Sequence, residues 1–401
     1  MYTALDLGSS SIKAVVADEK NGKLSILGII KQPSAGFRKG VLVEPEEAVN
    51  VLRKVFADLR LISKKAVQNI FVNVNGANVK IQPSRGVAAV SKADSEIRQD
   101  DVDRALQASQ AVKLAVNYVV LHNITREFFV DEIGDIADPL GMNGSRLEVS
   151  SLIVGAFAPF VNNIVRYVEK AGGSVGGLIF NPIAASRSAL SKNQKELGSL
   201  LIDIGFSTTS FAVYDENKIL YAASLPIGSS HITNDIAIGL KISVEAAEKI
   251  KLNYGFALSK EIPRRDALNL RDIDSSLEAD ISRRFLAEIV EVRLAEILEL
   301  INNELKSLNR HGRLPAGTVL TGGGARLPGT ADLVKQYLRL PCQIGIPDIS
   351  LFEIKNAGYE ELLTEPEFAA AVGLLLSAVE KKTKNFETDS PFKKFFKNFI
   401  P

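Results

Sequence analysis

Two aspartates occupy matching positions in two stretches half a chain apart. Residues 4–18 read ALDLGSSSIKAVVAD and residues 201–215 read LIDIGFSTTSFAVYD. In register they share Asp6/Asp203, Gly8/Gly205, Ser10/Ser207, Val16/Val213 and Asp18/Asp215. A carboxylate closing an apolar run can hold hydrated Mg²⁺, because that ion keeps several waters and takes few protein oxygens. The glycine lets the backbone come close to a phosphate. Hydroxyls and turn N–H groups at Ser9, Ser10, Ser11, Ser207, Thr208 and Thr209 supply donors to phosphate oxygens. Lys13, on the outgoing run, adds positive charge. Alone, Asp-x-Gly-x-Ser/Thr is an ordinary hairpin turn; the paired occurrence gives it weight.

A third glycine-rich site, Thr321-Gly322-Gly323-Gly324-Ala325-Arg326-Leu327-Pro328-Gly329, follows the β-rich run 318–320. Three glycines at a strand-to-helix junction offer a flat backbone against which a ring or phosphate can lie. Two small-residue helix starts, Asn181-Pro182-Ile183-Ala184-Ala185-Ser186 and Glu367-Phe368-Ala369-Ala370-Ala371-Val372-Gly373, suit close helix crossing, as a hinge between lobes needs. Each alone also reads as core packing.

The elements that must position these residues are read from periodicity. Helical spacing covers 45–59, 99–112, 159–171, 243–254, 279–308 and 367–379. Apolar β-rich runs cover 69–74, 151–156, 199–204 and 318–320. The paired motifs, each a β-hairpin pattern, predict a duplicated, two-lobed α/β chain. An α+β unit is inserted from residue 86 to about 156, and a second, almost wholly helical insertion spans 227–308.

Composition narrows the function. The chain has 401 residues, 46% hydrophobic and 24% charged, with 48 Lys+Arg against 47 Asp+Glu. A net charge of +1 argues against a general nucleic-acid binder. One cysteine, Cys342, excludes a disulfide framework, and His122, His231 and His311 are scattered. The N-terminus opens on a β-type run and is not expected to be a signal peptide. The longest apolar stretch, 152–161, is too short to span a bilayer, so the chain is expected to be cytoplasmic unless its tail directs it to a membrane.

Taken in order, five of these elements resemble the actin-like ATPase superfamily: phosphate-1 at 6–13, connect-1 at 181–186, phosphate-2 at 203–210, adenosine at 322–329 and connect-2 at 367–374. The likeness covers residues 1–380 and implies bound ATP and Mg²⁺. It assigns Asp6 and Asp203 to the metal through water. Gly8, Ser9, Ser10, Lys13, Gly205, Ser207, Thr208, Thr209, Gly322, Gly323, Gly324, Ala325 and Arg326 fall to the nucleotide. Ala246-Ala247-Glu248-Lys249-Ile250-Lys251 resembles the ribose-contacting helix, which places Glu248 and Lys251 near the sugar. The run Asp138-Pro139-Leu140-Gly141-Met142-Asn143-Gly144-Ser145-Arg146-Leu147 resembles the signature of the bacterial FtsA cell-division family.

That resemblance implies subdomain 1A at 1–85, 157–196 and 365–380, and the inserted subdomain 1C at 86–156. Subdomain 2A would take 197–226 and 309–364, and subdomain 2B 227–308. It implies filament formation, contacts with other division proteins through 1C, and binding of the FtsZ C-terminal peptide on the stretch 282–293 through Arg293 and Arg284. Two positions depart from relatives. Phe206 stands where many have glycine, and Asn181 where MreB-like filaments have a water-orienting Glu. An amide hydrogen-bonds water but is no base, so Asn181 implies water positioning at most and weak ATPase activity.

The tail is a separate object: 381–401 holds six Lys and five of the 19 Phe. After a linker at 381–389, Ser390 suits an N-cap and Pro391 a first helical turn. Phe392, Phe395, Phe396, Phe399 and Ile400 then share one helical face, with Lys393, Lys394 and Lys397 on the other. Such a helix is too short to span and would lie in the headgroup plane of an anionic membrane, as FtsA-family targeting helices do. The resemblance thus implies an adaptor anchoring the FtsZ ring at the division site on the cytoplasmic face of the plasma membrane. The rivals are a PilM-like pilus-assembly adaptor and a small-molecule kinase of the same superfamily.

Overall fold

The computed structural model describes residues 1–20, 23–38, 41–90, 94–111, 114–272 and 280–384. The expected membrane helix at 390–401 lies outside the described residues.

Both Asp-bearing stretches are β-hairpins, and each grows into a sheet in the same way. In the first lobe Tyr2–Leu7 pairs antiparallel with Ser11–Lys20, which pairs on with Lys23–Pro33. Ile70–Val74 and Val175–Phe180 extend the opposite edge in parallel, and Phe352–Glu353 adds to Lys23–Pro33. In the second lobe Ser199–Ile204, Thr209–Asp215 and Lys218–Leu225 form the antiparallel half. Thr318–Thr321 and Cys342–Ile344 form the parallel half. The duplication legible at Asp6 and Asp203 therefore extends to the sheets. Central strands are apolar on both faces, as buried parallel-type sheets require, with Ala4, Leu5, Leu201 and Ile202 inaccessible to solvent.

Inserted in the chain between the first lobe's strands Ile70–Val74 and Val175–Phe180 is a four-stranded sheet in the order Val79–Ala89, Arg146–Phe157, Tyr118–Val130, Ile133–Ile136. Its first strand starts ahead of residue 86. The helix Gln99–Gln110 covers it over a separate apolar cluster that includes Ile97, Val102, Ala105, Leu147 and Val149.

The region 227–308 is not purely helical. Helices Ser229–Leu240, Val244–Tyr254 and Arg283–Ser307 pack through Ile236, Ile250, Leu294 and Leu298. However, Asp280–Ser282 pairs with Ala267–Asn269 as a small hairpin. Ser282 then accepts the Phe285 N–H and caps the long helix, which starts later than periodicity placed it.

Helices Asn181–Ala189 and Ala369–Lys384 join the lobes and cross almost backbone to backbone. A Cβ on Gly373 would fall 1.7 Å from the Ala184 carbonyl oxygen, so only glycine fits. The second of these helices follows a short 3₁₀ turn at Pro366–Phe368 and runs on to Lys384, so the start of the expected linker is helical. Among the described residues no single helix is long and apolar enough to cross a membrane.

Candidate functional site

The two hairpin turns face each other across a cleft of about 530 Å³ between the lobes. Asp6 and Asp203 are each the next-to-last residue of the incoming strand, so both carboxylates emerge at its C-terminal end, where open α/β sheets bind ligands. Asp6 lies opposite Lys13, whose Nζ stands 3.5 Å from Asp6 Oδ2. Asp203 lies opposite Ser210. The turns touch directly: the Ser207 hydroxyl donates to Ser9 Oγ at 2.6 Å. Asn75 adds a second contact, donating to Thr208 Oγ1 at 3.1 Å while accepting from Ser224 Oγ at 2.7 Å.

The electrostatics of the two carboxylates suit a cation. Burial pushes the Asp6 carboxyl up, against the pull of Lys13 and Asn73. Burial likewise lifts Asp203 to about 6, opposed by a hydrogen bond from Asn181 and reinforced by the charge of Asp6. Two desolvated carboxylates share one nearby lysine, so a divalent cation entering with its water shell would relieve both. Among the described residues no group of three or more His, Cys, Asp or Glu could hold a metal ion, and the cleft offers two carboxylates beside turn hydroxyls. That donor set fits hydrated Mg²⁺ shared with phosphates.

The far wall of the cleft is the glycine-rich turn. Gly322 has φ +82°, and a Cβ there would lie 2.3 Å from Asp203 Oδ1, so only a bare backbone can pack against that carboxylate. Lys251 bonds Glu248 at 2.7 Å and Thr233 Oγ1 at 2.9 Å, and its ammonium lies 5.8 Å from the Phe206 ring centroid. Burial pulls Lys251 below its ordinary pKa, against the opposing pull of Glu248. Phe206, the departure from a second glycine, therefore forms part of the wall.

The cleft gathers Asp6, Gly8, Ser9, Ser10, Lys13, Asn181, Asp203, Gly205, Ser207, Thr208, Glu248, Lys251, Gly322, Gly323, Gly324 and Arg326. Two expected residues do not line it. Thr209 is fully buried in its strand, and Ala325 is buried inside the 3₁₀ turn Gly323–Arg326. Lining residues that escaped the sequence reading include Lys31, Asn73, Asn75 and Glu367 as a charge-bearing group. Glu367 bonds Lys31 at 2.7 Å and lies 3.7 Å from both Lys13 and Arg326. A signal existed for two of them. Lys31 is the cross-strand partner of Lys13, and Asn73 is the lone polar residue of an apolar strand.

The expected peptide-binding arginines lie on the second lobe. Arg293 forms a bidentate pair with Asp235, at 2.6 and 2.9 Å, and also bonds Glu296. It is thus engaged in joining helix Ser229–Leu240 to helix Arg283–Ser307. Arg284 stands 3.6 Å from Glu288. Beside them Ile238, Phe285 and Val292 are exposed.

A model of the cell-division protein FtsA matches residues 200–373, and one of the SHS2 domain inserted in FtsA matches residues 76–155. The cell division protein FtsA of Pseudomonas aeruginosa is 31% identical over 384 residues, covering 96% of this chain and 90% of that protein. FtsA of Bacillus subtilis is 34% identical over 348 residues, 87% of this chain and 79% of that protein. Among solved structures, the PilM–PilN type IV pilus biogenesis complex aligns with TM-score 0.66 at 19% identity, over 94% of this chain and 98% of that one. MreB5 of Spiroplasma citri bound to ADP aligns with TM-score 0.55 at 16% identity, over 96% and 98%. The two lobes therefore form an actin-like fold carrying an SHS2 insertion. With relatives this similar along nearly its whole length, the chain belongs to the FtsA cell-division family.

Proposed function

We propose that this protein binds Mg·ATP in the interlobe cleft and acts as a membrane-attached, self-assembling adaptor for the FtsZ ring. The observation that carries the nucleotide reading is the pair of buried aspartates on duplicated turns, facing a side-chain-free glycine turn. In this reading Asp6 and Asp203 hold the cation through water, and the hydroxyl turns grip phosphate oxygens. Lys13 neutralises phosphate charge, and Glu248 and Lys251 flank the sugar. Bound Mg²⁺ would supply charge neutralisation for the phosphates. Likeness in fold to MreB5 of Spiroplasma citri bound to ADP supports the same assignment. Asp203→Ala should abolish Mg·ATP binding in calorimetry while the protein stays folded by circular dichroism; unchanged affinity refutes the assignment.

The partner and membrane roles rest on family membership and on the tail. The exposed apolar residues Ile238, Phe285 and Val292 offer a seat for the apolar part of the FtsZ peptide. Arg293 must share its guanidinium between Asp235 and any peptide carboxylate. Other divisome proteins are assigned to the SHS2 insertion. Five half-buried Phe or Ile side chains contribute roughly 4–7 kcal/mol to membrane binding before ordering costs. A lone anchor is thus reversible, and a filament holds by avidity. Deleting residues 390–401 should leave the protein in the supernatant when anionic liposomes are sedimented.

A further inference from the structure

We propose that Asn73 is a positioning residue that locks the Asn181 amide into a neutral bridge between the two aspartates and so restricts its turning toward an attacking water. The proposal rests on the reading of the cleft as a Mg·ATP site. Asn73 and Asn181 are 4% and 2% exposed. The Leu7 N–H, which can only donate, meets Asn73 Oδ1 at 2.7 Å and so fixes which way that amide faces. Its Nδ2 must then donate, reaching Asp6 Oδ1 at 2.6 Å and Asn181 Oδ1 at 3.0 Å.

The same logic passes to the second amide. With its oxygen on Asn73, Asn181 turns Nδ2 toward Asp203 Oδ2 at 2.5 Å and Ser210 Oγ at 3.1 Å. Flipping Asn181 would set its oxygen against the Asp203 carboxylate and its NH₂ against the NH₂ of Asn73. Both N–H bonds of each amide are therefore spent, and one hydrogen-bonded chain runs Asp6–Asn73–Asn181–Asp203 from lobe to lobe. In ATP hydrolysis a water oxygen bonds to the γ-phosphorus as that phosphorus breaks its bond to the β,γ-bridging oxygen. ADP leaves with the electron pair, and the water's proton passes to phosphate and solvent. The oxygen of Asn181 could orient that water through its two lone pairs, but Asn73 occupies one of them and fixes the direction of the other.

The test is Asn73→Ser, whose hydroxyl can still accept the Leu7 N–H but cannot reach Asn181, with Asn73→Ala as a second variant. In nucleotide-free protein labelled at asparagine, hydrogen exchange of the Asn181 side-chain NH₂ should be slow and should quicken about tenfold in Asn73→Ser. Turnover of saturating Mg·ATP should rise about tenfold, with binding of a non-hydrolysable analogue measured alongside to confirm that the site is filled. Unchanged exchange, or turnover that stays level or falls with the analogue still bound, overturns the proposal. If the wild-type protein binds no analogue, the Mg·ATP reading fails, and the exchange measurement still decides whether Asn73 holds Asn181.

Discussion

The two hairpins share a skeleton and differ in what faces the aspartate across the strands. Asp6 faces Lys13, whereas Asp203 faces Ser210. The first lobe thus balances its buried carboxylate with a buried cation of its own, which also reaches Glu367. Asp203 instead meets the neutral amide of Asn181 and a hydroxyl turn of its own hairpin, and burial lifts that carboxyl to about 6. Duplication kept the geometry while the charge settled on one side. Under the proposed nucleotide reading, the first hairpin would supply a cation for phosphate and the second a carboxylate whose charge a metal would balance.

The sharpest way to break this comparison is to cut the two facing positions. Lys13→Ala should weaken Mg·ATP binding about 100-fold, or ~2.7 kcal/mol, within the range for a charge-assisted contact. Ser210→Ala should weaken it less than about threefold, since it removes one partner of a neutral amide. Calorimetric affinities of equal loss would erase the asymmetry.

A smaller effect concerns the nucleotide-free protein. Because the folded Asp203 carboxyl lies near 6, above its ordinary 3.8, the folded state holds that proton more tightly than the unfolded chain. Stability from this group is therefore lost as pH rises from about 4 through 6, and the ionised carboxylate is a net cost at neutral pH. Asp203→Asn should raise stability at pH 7 by about 1–2 kcal/mol without nucleotide. Asp6→Asn, which also takes a partner from Lys13, should gain less. Thermal melts from pH 5 to 8 check both.

The smallest effect tests what braces the bridge from outside. His122, on a strand of the SHS2 insertion, accepts the Phe180 N–H at 3.0 Å, one residue before Asn181. Burial lowers its pKa to about 3, with the charge of Arg187 adding to the drop. The unfolded chain then binds this proton more readily, so stability is full above about 6.5 and lost as pH falls toward 3. His122→Gln keeps an acceptor and should flatten that acid limb, at a cost of about 1 kcal/mol or less at pH 7. An unchanged limb would show that the insertion lends no such support.

What the sequence made legible was whatever the duplication repeats. Asp6 and Asp203 identify each other, and the sheets follow from them. Residues that act on one side only have no repeat to betray them, which hid Glu367 and Asn75. Thr209 was misplaced because successive residues of an extended strand face opposite ways, and its register opposite Ile204 turns it into the core. Ala325 was misplaced because a 3₁₀ turn coils the glycine-rich run and carries that methyl inward. The late start of the long helix arose from a three-residue pairing too short for any periodicity to register.

The contact of Gly373 with Ala184 has a mechanical consequence. Backbone meets backbone there with no side chain between to compress or change rotamer. Such a contact tolerates no added atom, so the two helices hold one spacing and one crossing, and any Cβ at position 373 must drive them apart. The segment that carries Gly373 begins at the site, where Lys31 and Arg326 reach Glu367 from opposite lobes. The spacing set at the crossing is thereby handed on to a carboxylate that both lobes grip.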